Sequence, residues 1–572
     1  MKLLLLTPEI LVLILQNVTT QDIVHVQQVC RQLRDVVETS LQLQYILTLE
    51  KTGYHLPLRP RVDLDYSLMI QMLHDNRDRW REVKLKDPLF IDTPLPDTEI
   101  DESHACNKID IFVDGVFAYI YRNCFQRSPE AVAYFHQLGS ANKKLEYKCW
   151  SHKLKYRVVD MMIQPEADLL VLLAYNNVPM GEGNFHIHIR TMSTNEPHPL
   201  AALPVITLNF STPSPDHLMY QAHVLRIHGR MISIHSSGSY ALAKSQSVTI
   251  VWNWVTGVKA VSLEFTPEAS SDGMAFVSEE YVAHPRHFQS DRPYNLDQLG
   301  YLEIHRIPHE RERAAPFARL MLPGSYAHTL AVVTINNREQ GSTPRGIQVR
   351  PEAKVFELAS EDRQICVNIS TQVDDPHVKE NTRRGVHGWL CVSTRVLLKF
   401  LDRIRLNGQP TSHNGPVVIS WGEWGSYASW VPIYENSFTQ VFTRGHRCAC
   451  LHYMRSAETA GFSHCVTMIQ IVDLDQNRNR NGASIGIHPQ IERTKYSPAL
   501  TFEELERRPT DKYLVFSEDD EVFRLALRPN AYYMRMYAID GVDEFLNPRD
   551  DQDGKFYYSL LGGIEDKMVM FK

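Results

Sequence analysis

No apolar run in the 572 residues approaches the roughly 20 that a membrane-spanning helix needs, so a soluble chain with no membrane partner is expected. Lys2 followed by four leucines imitates the start of a secretory signal. Thr7-Pro8-Glu9 interrupts that apolar region and no small-residue cleavage site follows, so secretion is not expected. Cysteine is sparse: nine residues, an odd number, at positions 30, 106, 124, 149, 366, 391, 448, 450 and 465, without the regular clustering of a disulfide framework. Reduced thiols in the cytoplasm or nucleus fit better. A large excess of either charge is also lacking, and a net charge of -7 over this length gives no reason to invoke nucleic acid as a partner.

The sequence also lacks a Walker loop, a complete dinucleotide glycine fingerprint, HExxH and GxSxG, so no catalytic residue and no cofactor are expected. Gly181-Glu182-Gly183 has no third glycine and reads as a turn. His186 and His188 project from one face of a strand, but two ligands do not make a metal site. Cys448, Cys450 and His452 alternate in the same way, and burial on a strand explains them equally well. The alternating oxygens of residues 473–482 imitate a calcium loop, yet a loop begun at Asn477 places His488 where a bidentate glutamate belongs. Asp550, Asp551 and Asp553 fail similarly, because Arg549 stands at the first ligand position.

What is present begins at the N-terminus. Residues 3–50 read as three short helices, too small to bury their own apolar faces. The first starts near Thr7 and Pro8, because proline suits a first helical turn and Glu9 complements the helix dipole. Ile10, Leu11, Ile14, Leu15 and Val18 form one apolar stripe, and Val12 with Leu13 makes a second face apolar too. One face packs internally and the other needs a partner. Thr19 to Asp22 carries a capping-box signature ahead of Ile23, Val26 and Val29. The third helix runs from about Arg31 to Leu41, with Leu33, Val36 and Val37 inward. A unit of about 45 residues lies near the lower limit of independent stability, so docking to another surface is expected.

The order Leu6, Glu9, Ile10, Leu11, Ile14, Leu15, Asp22, Ile23, Val29-Cys30-Arg31, Leu33 and Arg34 resembles the F-box. Leu43-Gln44-Tyr45, Leu49 and Gly53 are similar to the form common in fungal F-box proteins. The resemblance implies binding of the Skp adaptor, and through it cullin and RING subunits, by Leu6, Pro8, Glu9, Ile10, Leu11, Ile14, Leu15, Ile23, Val29, Cys30 and Leu33. Two departures bear on affinity: Thr7 follows Leu6 where the family has proline, and Leu33 stands where it often has tryptophan.

Residues 51–106 read as a helical and irregular linker. His55 to Pro60 is a connector, and Leu68, Met69, Met72, Leu73 and Trp80 return to helical spacing. The helix resembles the one that follows the F-box in fungal members, often ended by a pair such as Arg79-Trp80, and its expected job is rigid coupling.

From about Ile109 to Arg528 short β-type runs recur between turn residues, among them IDIFVDGVFAYIY, LLVLLAY, SVTIVWNWVTG and GWLCVSTRVLLKFL. The expected fold is thus multidomain α+β: an F-box (1–50), the linker, a large all-β domain (107–540) and a tail (541–572). The length favours a degenerate β-propeller of about six to eight blades over a single sandwich, with two smaller β domains as the alternative. Residues 248–261 resemble the last strand and turn of a WD repeat, with Asn253 in place of aspartate and Thr256-Gly257 turning toward the next blade. Weaker echoes lie at 302–307 and 469–474, spaced wider than the roughly 40 to 45 residues of a regular repeat. Trp421, Trp424, Tyr427 and Trp430 either anchor a partner peptide or fill space between sheets, and Arg478 and Arg480 offer exposed positive charge.

The expected function is that of a substrate receptor in a Skp-cullin-F-box ubiquitin ligase, acting by proximity with no transfer chemistry of its own. The alternatives are an F-box scaffold acting without ubiquitination and a propeller enzyme with a metal held by Cys448, Cys450 and His452.

Overall fold

The computed structural model describes residues 3–82, 107–122, 131–176, 184–208, 222–237, 247–265, 273–287, 300–308, 315–323, 329–335, 353–358, 363–373, 387–406, 415–432, 437–444, 447–455, 465–473, 534–538, 560–561 and 569–570. Helices come first: α1 (Pro8–Leu15), α2 (Thr20–Val29), α3 (Arg31–Thr39), α4 (Leu41–Thr52) and α5 (Tyr66–Glu82). Pro8 takes the first turn of α1 with Thr7 as its extended N-cap. The Thr19 hydroxyl accepts from the Asp22 N–H at 3.1 Å and donates to the Asp22 carboxylate at 2.6 Å, which fixes the start of α2. Ser40 caps α4, so α3 ends at Thr39 instead of Leu41, and the first 50 residues hold most of a fourth helix. Gly53, at φ 79°, closes α4 in the left-handed conformation, with the Tyr54 N–H reaching the Leu49 carbonyl.

The β region is a succession of antiparallel sheets taken in chain order. The first joins β1 (Asn107–Val113), β2 (Val116–Arg122), β3 (Ala131–Gln137) and β4 (Lys148–Leu154). The second joins β5 (Arg157–Gln164), β6 (Leu169–Asn176), β7 (Asn184–Thr191) and β8 (Val205–Leu208). The third joins β9 (Ala222–His228), β10 (Met231–Ser237), β11 (Ser247–Asn253) and β12 (Val258–Phe265). The fourth begins with β13 (Ala275–Phe276), β14 (Tyr281–His287), β15 (Gly300–Arg306) and β16 (Pro316–Met321). Next come β17 (Thr329–Ile335), β18 (Gln364–Val373), β19 (His387–Ser393), β20 (Val417–Ile419) and β21 (Ala428–Pro432). Of these, β20 adds in parallel to β16, and the other four make the fifth sheet. A sixth sheet holds β22 (Ser437–Arg444), β23 (Arg447–Arg455), β24 (Cys465–Asp473) and β25 (Met534–Ala538), and β26 (Leu560–Leu561) pairs with β27 (Val569–Met570).

The first strands of the first three sheets are neighbours in order, β1 beside β5 and β5 beside β9. One apolar cluster runs through all three sheets, from Ile109 and Phe135 through Leu170 and Ile187 to Ile232 and Trp252. A second joins the fourth and fifth sheets through Leu302, Ile304, Ile365, Val367 and Leu390.

Two further expectations are corrected. GWLCVSTRVLLKFL is a strand only to Ser393, after which α6 (Thr394–Leu406) follows. The apolar period lengthens there from two to between three and four, and Thr394, Leu397 and Leu401 are the buried positions. The Thr256-Gly257 turn does not lead to the next sheet: β12 pairs with β11 in the same one. Asn253 builds the turn by accepting from the Val255 and Thr256 N–H groups at 3.0 and 3.2 Å, and Gly257 has φ 71°. Trp254 is buried, with its indole N–H on the Gly229 carbonyl at 2.9 Å. Of the stretches likened to WD repeats, 302–307 and 469–474 fall on third strands, β15 and β24, and 248–261 runs from a third strand, β11, into the fourth, β12.

Helices and sheets meet on residues 353–358, a segment between β17 and β18. Val355 and Phe356 join Tyr45 and Leu49 of α4, Tyr54, and Met69 and Leu73 of α5 in one cluster, with the Phe356 and Tyr54 ring centroids 4.4 Å apart. The segment hydrogen-bonds antiparallel to His55 and parallel to Arg59 and Arg61. From the other side Asn142, in the β3–β4 turn, accepts from the Val355 and Phe356 N–H groups at 2.7 and 3.0 Å and donates to the Phe356 carbonyl at 3.0 Å. The Tyr45 hydroxyl donates to the Val355 carbonyl, and burial raises its pKa well above the ordinary value. Replacing Asn142→Ala strands two backbone donors and one acceptor in the interior. The variant is expected to lose about 2–4 kcal/mol of stability in a urea titration, whereas Lys144→Ala, at an exposed position two residues on, changes little.

Candidate functional site

An α-helix advances about 100° per residue, so the burial of α1 shows which side faces the interior. Leu11 and Leu15 point inward, Leu11 against Leu33 and Val36 of α3, and Leu15 against Ile23, Val37 and Leu43. Ile10, Leu13 and Ile14 point outward, at 44%, 60% and 40% exposure. Val18 is exposed beyond the end of α1, Val24 on α2, and Val29 at the end of α2 is 71% exposed. The boundary therefore runs through the stripe read from the sequence, which placed Ile10 and Leu11 together.

The eleven residues named for adaptor binding divide in the same way. Pro8, Glu9, Ile10, Ile14 and Val29 are exposed, and Leu6 and Cys30 are half-buried. Leu11, Leu15, Ile23 and Leu33 are the interior of the helical unit. They hold the exposed residues in place without presenting surface themselves. Leu13, Val18 and Val24 lie exposed alongside but were not named. Their apolar character was visible, but sequence spacing could not tell which flank of α1 would meet α3. Backbone and Thr7 hydrogen bonds hold the exposed Glu9 carboxyl below its ordinary pKa, so this outer face carries a negative charge at its N-terminal edge. Arg34 donates to the Gln27 carbonyl at 3.2 Å and locks the α2–α3 corner where Val29 and Cys30 sit.

A cavity of about 140 Å³ lies where the connector crosses the first two sheets. Pro57, Leu58, Trp150 and Met192 are among its apolar lining residues. Lys354 is there too, bridged to Glu166 and, at 3.1 Å, to Glu357. Opposite charges thus meet in its wall.

A second polar centre lies between the third and fourth sheets. The two oxygens of the buried Glu303 on β15 are shared between Arg286 of β14 at 2.9 Å and Arg319 of β16 at 3.0 Å, with His305 at 3.3 Å. The Arg286 guanidinium also stacks over Phe265 of β12 at 3.9 Å. Burial is the strongest influence on Glu303 and works to raise it, but His305 and Arg286 outweigh it and hold the carboxyl at about 2. With both oxygens engaged by cations, this carboxylate ties β14, β15 and β16 of the fourth sheet together, and Arg286 carries the contact on to Phe265 of the third.

Among the remaining candidates, Trp421, Trp424, Tyr427 and His188 take part in packing. Trp424 is buried with its indole on the Met321 carbonyl at 2.8 Å, and Trp421 meets it edge-on at 4.9 Å. Gly425 fits against the Trp421 ring, where a Cβ would come within 2.4 Å. Tyr427 meets Phe400 of α6. His188 stacks on Tyr156 at 4.0 Å, and burial lowers its pKa to about 4. Cys448, Cys450 and His452 occupy alternate positions of β23. No group of three or more metal-ligating side chains is found among the described residues. The side chains of Arg79, Trp80, Trp430, Cys448, Cys450 and His452 lie outside the described residues, as do residues 474–482 and 541–559 entirely.

A family model described as F-box-like matches residues 8–43, from the start of α1 into α4. The helical unit is therefore an F-box-like domain, which points to a role in a Skp-cullin-F-box type of ubiquitin ligase. No curated protein sequence matches the chain. Among solved structures, an uncharacterized protein from Listeria monocytogenes EGD-e aligns at 10% identity over 61% of this chain and 94% of its own, with a TM-score of 0.23. The acylaminoacyl peptidase of Pyrococcus horikoshii aligns at 8% identity over 64% of this chain and 58% of its own, with a TM-score of 0.28. The WD40 domain of SCAP from fission yeast aligns at 7% identity over 65% of this chain and 85% of its own, also at 0.28.

The Glu303 centre makes a pH prediction. Its folded pKa of about 2 lies below the ordinary 4.5, so its contribution to stability is complete above pH 4.5 and is lost as pH falls toward 2. Denaturant midpoints measured from pH 7 to pH 2 should fall steeply below pH 4.5 in the wild type. Glu303→Gln should start lower at pH 7 and fall less over that range.

Proposed function

We propose that the chain is a substrate-receptor subunit of a Skp-cullin-F-box ubiquitin ligase. The F-box-like match over residues 8–43 carries this reading, supported by the row of exposed apolar side chains on α1 and α2. Ile10, Leu13, Ile14 and Val29 form the surface on which the Skp adaptor sits, with Pro8 and Glu9 at its edge. Leu11, Leu15, Ile23 and Leu33 give that surface its shape.

The all-β region holds the target protein. Its chain-ordered, mostly four-stranded sheets, with first strands side by side in the first three, favour a degenerate β-propeller. Catalysis by such a subunit is proximity alone: the receptor raises the effective concentration of a target lysine near the charged transfer enzyme. The buried joint at residues 353–358 suits this task, because it fixes the F-box surface against the sheets.

The adaptor surface can be tested without disturbing the interior. Ile10→Asp combined with Ile14→Asp should weaken binding of the purified chain to a Skp adaptor by 100-fold or more in calorimetry, at an unchanged circular dichroism spectrum and melting temperature. Undiminished binding by this folded variant would place the adaptor elsewhere. Failure of the wild type to bind any Skp adaptor would remove the ligase assignment.

A further inference from the structure

We infer that Cys366 and Cys391 form a redox pair that closes a cross-strand disulfide when the protein meets a peroxide. The two residues are direct partners in the register of β18 and β19, and both are buried. Their sulfur atoms stand 3.2 Å apart. Opposed residues of antiparallel strands have Cα atoms about 4.5 to 5.5 Å apart, inside the window of roughly 4.4 to 6.8 Å that a disulfide spans. Side-chain rotation alone can therefore bring the sulfurs to the bonding distance of about 2.0 Å, with the strands left in place.

The alternation of β18 makes the pair a feature of one face. Ile365, Val367 and Ile369 enter the apolar cluster shared with the fourth sheet, while Gln364, Cys366 and Asn368 take the other side. Buried cysteine is ordinarily a small apolar filler. Two cysteines in register with sulfurs in mutual contact have a chemistry that either alone lacks. The other cysteines with described side chains, Cys30 and Cys149, lie at the α2–α3 corner and on β4.

The reaction balances with the peroxide as oxidant. Local opening of the strands admits the peroxide and solvent; one thiol, losing its proton there, attacks a peroxide oxygen, the O–O bond breaks, and the sulfur becomes a sulfenic acid. The second thiolate then attacks that sulfur, forming the S–S bond and expelling hydroxide. In sum, two thiols give up two protons and two electrons, and hydrogen peroxide is reduced to two waters.

The cross-link would fasten a sheet that reaches the helical joint. β19 runs directly into α6, where the Thr394 N–H donates to the Arg363 carbonyl at 2.8 Å and Arg395 reaches His55 of the connector at 3.2 Å. Oxidation therefore fastens β18 to β19 within the fifth sheet, the sheet from which α6 reaches the connector.

The test treats the folded full chain with hydrogen peroxide, removes the oxidant, unfolds and alkylates the protein, and maps its peptides by mass spectrometry. The expected result is a pair of peptides joined through Cys366 and Cys391, lacking alkyl groups and separated by reductant. The oxidised protein should melt on the order of a few °C higher, a gain reversed by reductant and absent from Cys391→Ala. Alkylation of both cysteines after peroxide treatment would overturn the inference, as would Cys366 joined to other cysteines in comparable amounts. The wild-type peptide map decides the matter even if Cys391→Ala fails to fold.

Discussion

The constraint on which the arrangement depends is that α4 and α5 cannot bury their apolar inner faces by themselves. Tyr45, Leu49, Met69 and Leu73 need a third surface, and Val355 with Phe356 supplies it from a connection between two strands of the fifth sheet. Burying this cluster takes the 353–358 backbone out of water, so its polar groups need partners inside the protein. His55, Arg59, Arg61, Asn142 and Tyr45 provide them. The apolar and polar demands are met at one place, and that place is where helices join sheets.

The proposed function draws on the position of this joint. α4 contributes Leu43 to the interior of the F-box-like unit and Tyr45 and Leu49 to the joint, so one helix carries both. Movement of α1, α2 and α3 against the sheets would have to break that shared packing. A receptor that works by proximity benefits from such a restriction, since a loose connection would dilute the effective concentration at the target lysine. In the β region, the Glu303 centre joins three strands of the fourth sheet, and one apolar cluster runs through the first three sheets.

Local signals were well legible in the sequence. Pro8, Thr19, Asp22 and Gly53 mark helix ends by backbone chemistry that acts within a few residues, and each sits where that chemistry requires. The run containing Trp252, Asn253 and Trp254 identified a strand and turn, but local sequence does not reveal whether the next strand stays in its sheet. Thr394 onward was misread because apolar residues in short runs satisfy both periods until the spacing settles at Leu397 and Leu401. The joint was not legible at all. Asn142 and Phe356 are more than 200 positions apart, and nothing in either neighbourhood specifies the other. The candidate surface was half legible: the apolar residues of α1 stood out, but their division between interior and exterior depends on where α3 packs.

The measurement that tests the central claim most directly is amide hydrogen exchange of the wild-type chain, resolved at residues 353–358 and 55–61. A joint built as described predicts that the amides of Lys354, Val355 and Phe356, and those of His55 and Arg61, exchange as slowly as those of the buried strand β6. Exchange within seconds at these amides, while β6 stays protected, would contradict the account and leave the helices tethered to the sheets by a flexible connection.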